Sequence, residues 1–94
     1  MTKKELRNET LKSMLITLGD INRVILNDNE YCRELYGHEA IGKMLMASYL
    51  GVLKDGWFDT LNTGICEVVY CRKDKASKLL QTDELIETVN SWIE

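Results

Sequence analysis

Hydrophobic residues in the first quarter of the chain recur mostly three or four positions apart, a spacing that predicts an amphipathic helix. Thr2 can cap this helix, and Glu5, three residues later, completes a capping-box pattern. Gly19 interrupts the pattern and allows two interpretations. In one, the helix continues to about Leu26. In the other, it ends before Gly19 and a second element, with strand character, covers Ile21–Leu26. The pattern leaves both open.

The middle of the chain predicts two further helices. Asn27 or Asp28 can cap a short helix over Asn29–Tyr36, and Gly37 suits the position that ends it. The most apolar segment follows, from His38 to a stop at Gly56. Its hydrophobic residues fall on two faces rather than one. A helix of that kind is central in its fold or shares one face with a partner.

The next segment, "WFDTLNTGICEVVYC", predicts a β-hairpin. Trp57–Leu61 and Ile65–Cys71 form the expected strands, because aromatic and β-branched residues favour strands. Asn62-Thr63-Gly64 forms the expected turn, with glycine where a left-handed conformation is needed. The hairpin as a whole covers Trp57–Cys71.

The last quarter of the chain predicts one more clear helix. Asp74–Gln81 is interpreted as a short helix or turn, and Thr82 as the cap of a final amphipathic helix. The predicted fold is therefore α+β: a mostly helical single globular domain over residues 1–94, with three to five helices and one two-stranded antiparallel hairpin.

Length and composition narrow the function classes. A chain of 94 residues has room for one core, and a deep catalytic cleft would compete with that core for residues. The net charge is −3, and acidic and basic residues are mixed along the chain without a concentrated basic face. This distribution disfavours nucleic-acid binding. No signal peptide or membrane-spanning run is recognisable. We therefore expect a cytoplasmic, non-enzymatic protein with reduced cysteines.

The cysteines and the single histidine are residue types that bind metals or act in catalysis, but their positions in the sequence support neither role. In a strand, Cys66 and Cys71 would lie roughly 16 Å apart on opposite faces, too far to share a metal ion. Cys32 and His38 could be a nucleophile and a base, but the sequence offers no oxyanion site or glycine-rich loop. We expect no metal, no cofactor and no catalytic residue.

The leading hypothesis is a small adaptor, inhibitor or regulatory subunit, of the type that phages or mobile elements encode, which binds a protein partner. Aromatic residues and methionine are favoured in interface cores, and acidic residues can steer a basic partner. The excess apolar face of the central helix also favours a homo-oligomer. The candidate partner-binding residues are Met46, Tyr49, Leu50, Leu53, Trp57, Phe58, Glu84 and Glu87.

The alternative hypothesis is a nucleic-acid-associated regulator. The order of a helix followed by a hairpin is similar to that of a winged helix, an analogy at the level of fold only. The basic cluster after the hairpin would then contact phosphates. Its residues are Arg72, Lys73, Lys75 and Lys78.

Overall fold

The structure is a computed structural model that describes residues 1–71 and 73–94, and those residues form four α-helices. The helices are α1 (Lys3–Leu26), α2 (Glu30–Tyr49), α3 (Trp57–Val69) and α4 (Lys75–Trp92). The described ranges contain no β-strand. The predicted α+β class with a hairpin at Trp57–Cys71 is therefore wrong, and the protein is an all-helical small domain. The winged-helix analogy, which needs the hairpin, fails with it.

Consecutive helices run antiparallel around a shared core. Each of α1 and α3 packs against both α2 and α4, so α2 and α4 lie diagonally across the bundle. At one end Arg7 Nε donates a 2.7 Å hydrogen bond to the carbonyl of Val52, just after α2. At the other end Lys75 Nζ lies 3.2 Å from Asp28 Oδ2, which joins the start of α4 to the end of α1. The result is an up-down-up-down four-helix bundle.

Helix α1 continues without a break to Leu26, so the strand interpretation of Ile21–Leu26 is wrong. Thr2 caps the helix as expected: its hydroxyl accepts the Glu5 N–H at 3.1 Å. Gly19 is exposed and lowers local helix propensity without ending the helix, because tertiary packing holds both sides of it. The side chains that pack into the core on either side are Leu11, Met14, Leu18, Ile21, Val24 and Ile25.

Helix α2 is a single element where the sequence predicted two. Gly37 does not end a helix; it lies buried inside α2 against Val69 of α3. A Cβ atom built on Gly37 would lie 2.6 Å from Val69 Cγ1. The glycine therefore permits close approach of two helices, and the residues beyond Tyr49 form the connection to α3.

Replacing Gly37 with alanine should destabilise the protein. A β-branched valine in a helix has little freedom to move aside, and overpacking of this kind costs about 1–3 kcal/mol, offset by roughly 1 kcal/mol of helix propensity. Urea unfolding would measure the difference. The matched control is Gly19→Ala, which meets no atom within 4 Å and should stabilise α1 slightly. Equal stability of the two variants would contradict the close α2–α3 contact.

Helix α3 occupies the segment that was predicted to be a hairpin. Its buried residues are Leu61, Gly64, Ile65, Val68 and Val69, a helical rather than an alternating spacing. Gly64, assigned to a turn, lies inside the helix, and its absent side chain leaves space for Leu85: a Cβ there would lie 2.5 Å from Leu85 Cδ2. The β-branched residues pack against helices instead of neighbouring strands, which shows how strongly context governs β propensity.

Helix α4 begins earlier than predicted. Asp74 is its N-cap, and the Asp74 carboxylate accepts the Ser77 N–H at 2.8 Å. Hydrogen bonds from Ser77 hold the pKa of Asp74 below its ordinary value. Thr82 is not a cap. It is buried in the middle of α4 and donates to the carbonyl of Lys78 at 2.7 Å.

Candidate functional site

Helix α2 has a buried side and an exposed side, and both are apolar. The buried side consists of small residues and one methionine, namely Gly37, Ala40, Met44 and Ala47. The opposite side carries large hydrophobic side chains that contact solvent, among them Tyr31, 77% exposed, and Tyr49, 90% exposed. The core is therefore complete without them, and their apolar surface has no partner within the described part of the chain.

The exposed side of α2 follows a heptad pattern. Six positions alternate at spacings of four and three, and we name this row the α2 stripe. Its members are Tyr31, Leu35, His38, Gly42, Leu45 and Tyr49. All six are exposed. A four-three spacing keeps one row of residues along one side of a helix, which is the arrangement that pairs helices in coiled coils.

Tyr70, just after α3, contacts the centre of the stripe. Its hydroxyl lies 3.2 Å from His38 Nδ1, and the two ring centroids are 5.7 Å apart. Partial burial raises the pKa of Tyr70 above its ordinary value, with smaller contributions from Cys66 and Glu34. Tyr70 therefore stays neutral and extends the aromatic surface of α2 toward α3.

A groove between α1 and α2 borders the stripe on its other side. It has a volume of about 490 Å³, and Met46 and Leu50 form much of its apolar wall. Polar groups of α1 form the opposite wall. Lys43 lines the groove and reaches α1, where its Nζ donates to Thr17 Oγ1 at 2.7 Å. The same Nζ lies 3.5 Å from Glu39 Oε1. The groove is thus a mostly apolar depression beside a charged pair.

The predicted partner-binding residues divide into three groups. Met46, Tyr49 and Leu50 are exposed and belong to the α2 surface. Leu53, Trp57 and Phe58 are half-buried and pack against the core instead. Trp57 stacks on Trp92 of α4 with ring centroids 4.3 Å apart and planes within 8° of parallel. These rings close one end of the bundle and are not an open surface.

Glu84 and Glu87 form the third group. Both are exposed on α4, which lies diagonally across the bundle from α2. The structure therefore does not bring them together with Met46, Tyr49 and Leu50. A partner seated on α2 alone would not touch them.

The basic cluster is partly neutralised by its own surroundings. Lys73 Nζ lies 3.1 Å from Glu67 Oε2 and donates to Gln81 Oε1 at 2.9 Å. The bonds from Gln81 and Lys73 hold the pKa of Glu67 below its ordinary value. Lys75 pairs with Asp28. Arg72, the fourth predicted member of the basic cluster, lies outside the described residues.

Lys78 is the exception in this cluster, because only 8% of it is exposed. It lines a small cleft of about 200 Å³ at the end of the bundle, together with Arg33, Lys73 and Lys75. Asp28 and Glu30 line the same cleft, so its charge is mixed. The three lysines and Arg33 thus gather at one cleft, but these two carboxylates lie among them, so the cleft is not the open and unopposed basic face that duplex binding requires.

The cysteines and His38 are not gathered into a reactive site. Cys32 lies in the first turn of α2, where its N–H donates to Asn29 Oδ1. Cys66 Sγ lies 3.8 Å from Asn62 Oδ1, one turn away in α3. Within residues 1–71 and 73–94, no group of three or more potential ligands is placed to hold a metal ion.

None of the helices in the described ranges combines the length and the apolar character needed to cross a bilayer. No protein-family model, curated protein or solved structure matches this chain. Function must therefore be inferred from the surface itself. The α2 stripe was not recognised from the sequence as one row, although the signal was present in its four-three spacing.

Proposed function

We propose that this protein is a non-catalytic interaction protein that binds a protein partner through the exposed side of α2. One observation carries the proposal: large apolar residues concentrate on this side although the same helix already fills the core with its other side. The exposed ones are Tyr31, Leu35, Leu45, Met46 and Tyr49, followed by Leu50 at the C-cap.

The size and composition of this surface favour protein binding. Isolated exposed apolar residues are normal on any protein, but several large ones along one side of one helix are costly to leave in water. Tyrosine and methionine are enriched where interfaces are buried. The exposed side of α2 has both, with Tyr31 and Tyr49 in the stripe and Met46 beside it. The charged neighbours of the stripe, Glu34 and Glu39, form a polar margin of the kind that surrounds interface cores.

The mechanism follows from the geometry of a helix in a rigid bundle. An incoming helix would lie along the stripe, and a side chain of the partner would enter the groove beside Met46 and Leu50. Because α1 and α3 hold α2 in place, little conformational entropy is lost on binding. The protein would act by occupying its partner's surface, as an adaptor, inhibitor or regulatory subunit does, and would need no cofactor.

The proposal includes self-association, because a row of exposed side chains on a rigid helix can bind a second copy of itself. It does not include catalysis. The charged residues predicted from the sequence have no part in it, neither Glu84 and Glu87 nor the basic cluster of Arg72, Lys73, Lys75 and Lys78.

Leu45→Glu should abolish partner binding without unfolding the protein. Leu45 is 51% exposed on α2, so glutamate there remains hydrated in the free protein but would be buried uncompensated in a complex. Native mass spectrometry of untagged protein purified from its host cells would detect the complex. We expect a dimer or a complex with another protein in the wild type, and a monomer in the variant.

The matched control is Leu80→Glu, which makes the same change at a 62% exposed position of α4. It should leave the complex intact. If the Leu45 variant keeps its complex, or if both variants lose theirs, binding is not specific to the exposed side of α2 and the proposal is wrong.

A further inference from the structure

The α2 stripe is symmetric about its own centre. Ala40 marks the centre of the stripe along the helix axis. His38 and Gly42 lie at equal distances on either side of it, followed on both sides by a leucine and then by a tyrosine. The outer pairs are Leu35 with Leu45 and Tyr31 with Tyr49. A row with this symmetry is complementary to a reversed copy of itself.

We propose that the partner of α2 is a second copy of this chain, bound in an antiparallel arrangement about a two-fold axis at the height of Ala40. This inference rests on the proposed function and specifies its occupant. Closed two-fold dimers use the same surface on both copies, so that each contact occurs twice. Here each leucine of the stripe would meet a leucine of the other copy, and each tyrosine a tyrosine.

Gly42 gives this pairing its close approach. A Cβ built on Gly42 meets no atom within 4 Å, so the surface is open there and slightly hollow. In the antiparallel register the ring of His38 from the second copy lies opposite that hollow. Small residues let two helix axes come within the usual 8–10 Å, and a four-three repeat suits a shallow crossing of about 20°.

The charged margin is compatible with the same register. At about 1.5 Å of rise per residue, Glu39 would lie within roughly 3 Å along the axis of both Lys43 and Glu39 of the second copy. The two carboxylates would meet near the two-fold axis with a lysine on each side. Lys43 and Glu39 are already 3.5 Å apart within one chain, so the four charges sum to zero and none is left unpaired.

The first test compares two glycine variants by sedimentation velocity from micromolar to millimolar protein. Gly42→Arg fills the hollow at the proposed contact and should raise the dimer dissociation constant at least tenfold, by roughly the effect of a central interface residue. Gly19→Arg makes the same change at an equally open helical position on α1. It should leave the dimer unchanged. Both variants should keep the fold, because arginine is a better helix former than glycine.

A second test determines the register by disulfide formation in a background without Cys32, Cys66 and Cys71. A mixture of the single variants Leu35→Cys and Leu45→Cys should cross-link, since these positions face each other. Each variant alone should not, because identical positions would be separated by about 15 Å along the axis, well beyond the roughly 4.4–6.8 Å between Cα atoms in disulfides. Cross-linking of each variant with itself would instead indicate a parallel pairing and overturn the inference.

The outcomes separate this inference from the proposed function. A dimer that survives Gly42→Arg, or a wild-type protein that stays monomeric throughout the concentration range, overturns the antiparallel pairing. If that monomeric protein still forms a Leu45-dependent complex with another protein from its host, the proposed function stands and only the second copy is excluded. If no complex depends on Leu45, both fall.

Discussion

Thr63→Pro should lower the free energy of unfolding by about 3 kcal/mol or more. Thr63 lies in the interior of α3, where proline removes a backbone hydrogen bond and its ring clashes with the preceding turn. The threonine side chain is exposed, so the loss arises from the backbone alone. Against a total stability of roughly 5–15 kcal/mol for a small domain, such a loss is large. Urea unfolding followed by far-ultraviolet circular dichroism would measure it.

The control for this variant is Thr63→Ala, which keeps the backbone N–H and should be neutral or slightly stabilising, because alanine is the better helix former. The comparison also discriminates between helix and hairpin. In the predicted turn Asn62-Thr63-Gly64, the residue at 63 would make no helical hydrogen bond, and proline would cost far less. Near-equal stability of the proline and alanine variants would therefore restore the hairpin interpretation.

Ile65→Ala should lower the free energy of unfolding by about 2–5 kcal/mol. Only 1% of Ile65 is exposed, and it belongs to the same core cluster as Leu61 and Val68. The substitution removes buried methyl and methylene groups and leaves a cavity that a close-packed interior cannot fill completely. The denaturant midpoint should fall while the slope of the unfolding transition stays the same.

Ile16→Ala is the matched control for this second substitution. Ile16 is also a helical isoleucine, but it is 67% exposed on α1. Its replacement should change stability by less than about 0.5 kcal/mol, as is usual at the surface. A loss at Ile16 comparable to that at Ile65 would mean that Ile16 is covered in solution, and a negligible loss at Ile65 would place α3 outside the core.

The segments that could be predicted from the sequence are those whose signals are local. The Thr2 cap and the long row of apolar residues in α1 identify a helix start and a helix face, because both depend on residues within one turn of each other. The signal for the second half of α4 is equally local. Its apolar row, with buried Leu85 and Val89, was assigned correctly, although the helix begins at Lys75 rather than after Thr82.

The hairpin prediction was wrong because it relied on residue types rather than on the spacing of the apolar residues. The run "EVVY" is rich in residues that favour strands, and "NTG" has the composition of a turn. Yet the same segment places Leu61, Ile65 and Val68 on one face of a helix. Burial of that face against α2 and α4 outweighs a weak preference of individual residues, and only the tertiary structure reveals that those helices are there.

The predictions at two glycines were wrong for a related reason. Gly37 and Gly64 are unfavourable inside isolated helices, so a reading limited to local preference ends an element at each. In the bundle they lie where α2 meets Val69 and where α3 meets Leu85. Their cost in propensity is offset by the close packing that a missing side chain allows, a benefit that exists only once the second helix is in place.

The sequence by itself determined that the chain is mostly helical, where its first helix starts and that its central helix is apolar on two sides. It also contained the four-three spacing of the α2 stripe. Only the tertiary structure decided that α3 is a helix and that Trp57 and Phe58 pack against the core. It alone decided that four large residues of α2 remain exposed, namely Tyr31, Leu35, Leu45 and Tyr49. Amphipathic periodicity is a local property, whereas burial depends on which faces meet, and that is settled only when all four helices pack together.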